Sequence, residues 1–196
     1  MSGHHLILGE LTDFITGQTL SDTHDEQYRQ KLAHWLVEHL GYPKSGITRH
    51  HVLTVRADDK QARVPVTYVI RLAGREAMII QYGPGSLVTR HRPALAMGRL
   101  VAPYQVPVVV VTNGEEADIL DGLSGRITGT GLNGIPSKAR LKEILKLAPW
   151  QPISEQRAEK EARIVMAFEV DDRCPCDSTV CLTGNTQGEA AAKEEK

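Results

Sequence analysis

The apolar positions of the chain change period several times, and each change marks an element. Tyr28, Leu32, Trp35, Leu36 and Leu40 recur at helical spacing. Thr23-His24-Asp25-Glu26 ahead of them has the form of a capping box, with a hydroxyl at the cap and Glu three residues on. Gly41 and Pro43 stop the pattern, so a helix is predicted over about residues 25–40, its Trp35 face on a sheet. Ile47 to Ala57 contains a strand at Val52–Val55, and Asp58-Asp59-Lys60 is a polar turn. From Arg63 to Gly83 two apolar strands flank a short Ala73-Gly74-Arg75 turn. Pro93 suits a first helical turn, and Ala94, Met97, Leu100 and Val101 carry that helix to about residue 102.

Val106-Pro107-Val108-Val109-Val110-Val111 is a continuous β-branched run, the mark of a strand buried on both faces. Asn113-Gly114 turns the chain after it. A short Ile119-Leu120 segment and a Gly129-Thr130-Gly131 loop follow. Ser137 caps a predicted helix with a Leu141, Ile144, Leu145, Ala148 stripe. A last helix, about 154–168, carries Ala158, Ala162, Val165 and Met166 on one side. Residues 1–20 read as irregular and 183–196 as a polar, disordered tail. The expected organisation is a core over residues 1–135, a helical pair packed on it over 136–170, a cysteine segment at 171–182, and the tail at 183–196.

Composition narrows this picture. With 196 residues and 41% hydrophobic content, a core of ordinary size is within reach. Aromatics are only 5%, so that core is built from aliphatic side chains. No apolar run approaches the ~20 residues of a membrane span. The first residues lack a basic lead and a long apolar region, so the expected location is cytoplasmic. The net charge of -1 hides a segregation. Residues 1–42 carry a net -4, residues 43–106 a net +7 from ten basic and three acidic groups, and residues 107–196 a net -4. A basic centre between acidic flanks fits either a phosphate-facing surface or a solvated sheet edge.

Three ordered blocks carry a resemblance. They are Asp13-Phe14-Ile15-Thr16-Gly17, Asp25-Glu26-Gln27-Tyr28-Arg29-Gln30-Lys31-Leu32, and Leu40-Gly41-Tyr42-Pro43-Lys44-Ser45-Gly46-Ile47. With Val110-Val111-Thr112-Asn113-Gly114 they make roughly residues 10–130 similar to the N-terminal domain of type I restriction enzyme R subunits. The resemblance implies an α/β, restriction-endonuclease-like mixed sheet flanked by helices, here with a C-terminal helical extension. It also implies Mg²⁺-dependent DNA cleavage at a PD-(D/E)xK hairpin, with Asp on the first strand and Glu-x-Lys on the second. In this chain the matching positions hold Thr67, Gln81 and Gly83, and the family's early helical acid matches Glu26. Mg²⁺ takes oxygen ligands, usually with one or two carboxylates, so neutral Thr67 and Gln81 argue against Mg²⁺ here. No Gly-x-x-x-x-Gly-Lys-[Ser/Thr] phosphate loop is present.

The reading is therefore a degenerate nuclease domain that binds nucleic acid or a partner protein, itself included, through the basic centre. Arg63, Arg90, His91 and Arg92 are its candidate phosphate contacts, the last three beside the Gly83–Ser86 break. One alternative keeps an active Mg²⁺ nuclease, with Asp58 and Glu76 as displaced acids. Another takes Cys174, Cys176 and Cys181, all the cysteines of the chain, as Zn²⁺ or iron ligands or a redox centre on a nuclease-like scaffold. His50-His51 is expected at the surface of a loop or strand.

Overall fold

A computed structural model describes residues 7–171 and 181–182. The chain opens with a small hairpin, β1 (Gly9–Thr12) and β2 (Thr19–Asp22), where an irregular segment was expected. Helix α1 (His24–His34) follows and runs on as a π-helical turn over Trp35–His39. Then come β3 (Ile47–Ala57), β4 (Lys60–Leu72), β5 (Arg75–Tyr82) and helix α2 (Val88–Leu100). Strands β6 (Val108–Thr112), β7 (Ala117–Asp121) and β8 (Ile127–Thr130) precede helices α3 (Lys138–Leu147) and α4 (Glu155–Met166). The two-residue β9 (Cys181–Leu182) pairs with β4.

The main sheet runs in the order β3-β4-β5-β6-β7-β8. All its neighbours are antiparallel except β5 and β6, whose parallel pairing needs the α2 crossover. Helices α1 and α3 cover one face through Leu32, Leu36 and Leu141. Helices α2 and α4 cover the other through Met97, Ala162 and Val165. Strand β6 is buried on both faces along its length, as its β-branched run predicts. The fold is thus the expected α/β arrangement.

Three further local expectations are revised. Gly129-Thr130 belongs to β8, not to a loop. Helix α2 starts at Val88, so Pro93 lies inside it rather than in its first turn. Pro93 forfeits one helical hydrogen bond, but all of Pro93–Arg99 is buried, and packing outweighs that loss. On α1 the buried stripe is Leu32, Ala33 and Leu36. Trp35 is rotated off it, half-buried against His39 and beside Leu11 of β1.

The β3–β4 hairpin changes face midway. Ile47 faces the α1 side, whereas Leu53, Val55 and Ala57, of the same parity, face α2 and α4. On β4, Val64 and Val66 face α2 and α4, yet Tyr68, Ile70 and Leu72 face α1. A regular strand keeps one parity on one face. The change falls at His50, whose φ of 46° is left-handed, and at Thr67, which the register sets opposite it.

Candidate functional site

Thr67 and Gln81 lie side by side where β4 and β5 part, beyond the last ladder pair Tyr68 and Ile80. Both are buried. The Thr67 N–H donates to Gln81 Oε1 at 3.1 Å and the Thr67 hydroxyl donates to the same oxygen at 3.4 Å. The Tyr82 N–H donates to Thr67 Oγ1 at 3.0 Å. The two positions expected to carry a nuclease's acids therefore converge, and their oxygens are used in closing the gap between the strands. Mg²⁺ does not fit this donor set: neither side chain is charged, and the Gln81 oxygen already accepts two hydrogen bonds. Gly83 is buried under Arg90, and a Cβ there would fall within the guanidinium. Arg90 donates from Nη2 to the Pro84 carbonyl at 3.1 Å. An arginine head from α2 thus occupies the space a residue-83 side chain would fill.

A closed polar network lies on the α1 side of the face change. Arg49 of β3 bridges two buried carboxylates, Nε to Asp13 Oδ2 at 2.8 Å and Nη2 to Glu26 Oε2 at 2.7 Å. Gln30 donates to both acids at 2.8 Å, and Arg29 adds a 3.3 Å contact to Glu26. Only the backbone N–H of Glu26 takes part in the cap, donating to Thr23 Oγ1. Burial acts to raise the Asp13 pKa, but hydrogen bonds from Gln30 and Thr16 and the Arg49 charge outweigh it and hold the carboxyl below its usual value. Sequence reasoning missed Arg49 and the partnership of Asp13. The signal was present in the Asp-Phe-Ile-Thr-Gly block, whose Asp13 Oδ1 accepts from the Ile15 and Thr16 N–H groups and so shapes the turn.

His50 is half-buried beside this network. Burial, then Arg49 and Arg29, push its pKa down to about 4. The unfolded chain, with an ordinary His near ~6.5, then holds the proton more tightly than the fold. The neutral ring's contribution is complete above about pH 6.5 and drains away as the pH falls toward about 4. We expect thermal stability to fall through this window by an amount of order 1–2 kcal/mol. His50→Asn, which tolerates the left-handed backbone, should flatten that part of the profile. Parallel melting curves between pH 7 and 4 check this.

The other candidates scatter. His91 Nε2 meets Asp118 Oδ2 at 2.8 Å. Arg92 meets the buried Glu161 at 2.5 Å. Arg63 is exposed on the outer half of β4. Arg90, His91 and Arg92 thus engage β5's end, β7 and α4 in turn rather than one surface. Asp58 and Glu76 lie at opposite ends of β4: Asp58 precedes Lys60, and Glu76 pairs with Arg71. Eleven strand residues separate them by roughly 35 Å, so they cannot share an ion. Cys174 and Cys176 lie outside the described residues, as does the tail at 183–196, and only the backbone of Cys181 is described. Among the described residues no group of three or more His, Cys, Asp or Glu side chains is placed to hold a metal, and no helix is long and apolar enough to cross a membrane. A cleft of about 220 Å³ between α3 and β7, lined by Leu123, Ile144 and Leu147, is one hollow of this surface. Another, of about 470 Å³, lies between β1 and α1. Neither reaches Thr67 or Gln81.

A family model described as the type I restriction enzyme R protein N terminus matches residues 24–136. No curated protein shows a significant match to the chain, and no solved structure does.

Proposed function

The chain belongs to the type I restriction enzyme R protein N-terminal family, and from that premise we propose a nuclease-derived domain that has given up cleavage and binds nucleic acid. One observation carries this reading. Thr67 and Gln81 stand together at the strand fork, as an acid pair would, yet bond to each other and to the backbone. A cleaving site would need those oxygens charged and turned to an ion beside the scissile phosphate.

Binding rests on fewer cations than the net +7 of residues 43–106 suggests. Arg49, Arg92 and Arg99 of that block are held by buried carboxylates. Arg63, and Arg90 at the fork, are the residues of choice for phosphate contact. Affinity should accordingly be weak and fall steeply with salt, because phosphate contacts release counterions.

The expected result with purified protein is no cleavage of DNA in Mg²⁺ or Mn²⁺. Metal-dependent cutting by the unaltered chain would overturn the proposal. A gain-of-site variant tests the geometry behind it. Thr67→Asp, Gln81→Glu and Gly83→Lys are combined with Arg90→Ala, since Arg90 fills the space the lysine needs. Calorimetry should show Mg²⁺ binding at least about tenfold tighter than in the parent, or 1.4 kcal/mol. No gain would mean the three positions do not form a common site.

A further inference from the structure

Strand β4 is longer than the neighbour that covers it. Strand β5 pairs with β4 only from Tyr68 to Leu72, whereas β3 pairs along the whole of Lys60–Ile70. The outer half of β4 thus has a second edge that β5 does not cover. Its polarity follows from the turn. Asp58-Asp59 is a two-residue loop between Ala57 and Lys60, and such a loop is closed by a hydrogen-bonded pair. Main-chain groups then alternate along an antiparallel strand, so Lys60, Ala62 and Val64 face β3 while Gln61, Arg63 and Pro65 face the side away from β3. Pro65 is in keeping with this, because a proline is tolerated where no ladder donor is needed. The register of β9 agrees as well: Cys181 lies opposite Arg63 and Leu182 opposite Ala62.

We propose that the outer edge of β4 is a strand-docking surface and that its occupant is the chain's own Cys181–Leu182, acting as a reversible clasp. An edge of peptide N–H and C=O groups selects an extended polypeptide and not a phosphate. The inference therefore goes beyond nucleic-acid binding and does not depend on it. Proline at 65 limits the ladder to a short partner, which matches a strand of two residues. An uncovered edge is a template for unwanted pairing between copies, and a clasp of this length covers Arg63 while remaining easy to open.

Amide hydrogen exchange on the full chain tests the clasp from both sides. Cys181→Pro with Leu182→Pro removes the Cys181 N–H, the β9 donor that faces β4, and bars a slipped pairing through Leu182. The Arg63 amide should then exchange about tenfold faster, while Val64, which faces β3, keeps its rate. The reciprocal variant Arg63→Pro leaves the β3 ladder intact and should unprotect Cys181, whose N–H faces β4. Cys181→Ser with Leu182→Val should change none of these rates. An unchanged Arg63 rate in the double-proline variant overturns the proposal. So does a rate that rises equally at Val64, since that reports opening of the hairpin rather than loss of a docked strand.

Discussion

Glu161→Ala is expected to cost about 3–5 kcal/mol of unfolding free energy at neutral pH, read from urea denaturation. The Glu161 side chain has no solvent exposure and receives three arginines: Arg157 at 2.6 Å, Arg92 at 2.5 Å and Arg99 at 3.0 Å. Arg92 and Arg157 reach water, but the Arg99 side chain is only 7% exposed. Removing the carboxylate strands that cation between α2 and α4, where hydration cannot replace the lost partner. Burial alone would raise the Glu161 pKa. Hydrogen bonds from Arg92 and Arg157, with the charges of Arg92 and Arg99, reverse the sign and hold it low. A depressed carboxyl stabilises the fold above its unfolded pKa and loses that contribution as the pH drops through the folded value. The wild type should thus shed stability on strong acidification that the variant never had. Arg99→Met joined to Glu161→Leu should recover much of the loss, because a matched apolar pair carries no desolvation penalty. A cost below about 1 kcal/mol for Glu161→Ala would show that the cluster behaves as an ordinary surface ion pair.

Gly122→Ala is expected to be nearly as damaging, at about 3 kcal/mol. A Cβ at Gly122 would meet the Val106 carbonyl oxygen, while the Gly122 N–H donates to the Pro107 carbonyl at 2.9 Å. Both partners are backbone at the entry to the buried β6, so neither can step aside as a side-chain tip could. Gly129→Ala is the control. Its nearest neighbour would lie at 3.6 Å, an ordinary contact, and the change should cost under about 1 kcal/mol. Equal losses at the two positions would mean that the close approach at Gly122 is relieved by a small shift of the chain.

The periodic elements were legible before any coordinates. Helices α1, α3 and α4, the β4–β5 hairpin and the β-branched β6 all lie where spacing and composition place them. Thr67 and Gln81 were found through the resemblance, whereas the turn alone, with Leu72 opposite Arg75, would set Thr67 against Ile80, and the irregularity at Ile70/Arg71 moves it to Gln81. The hairpin β1–β2 was not legible, since four-residue strands such as Gly-Glu-Leu-Thr offer too little alternation to read. Strand β8 has one large apolar residue, Ile127, and that residue is exposed. The destination of the arginines was hidden for a different reason. Net charge along a window is a linear quantity, while Arg92 finds Glu161 and Arg49 finds Asp13 across distant stretches of sequence. Half-burial of His50, expected at the surface, follows from the same tertiary network.

The change of face at His50 and Thr67 bears on which lengths this hairpin can accept. Deleting His50 alone would give β3 an unbroken alternation, which propensity scales would score as an improvement. Regular alternation would then still hold Leu53, Val55 and Ala57 against α2 and α4, but it would leave Thr67 of β4 with no residue opposite it and force β4 to bulge. A compensating deletion of Thr67 would be needed to keep β4 in step. Single-residue gaps in this hairpin should therefore be rare among viable relatives, while paired gaps at 50 and 67 should be tolerated. The kink makes two positions on separate strands inherit as one.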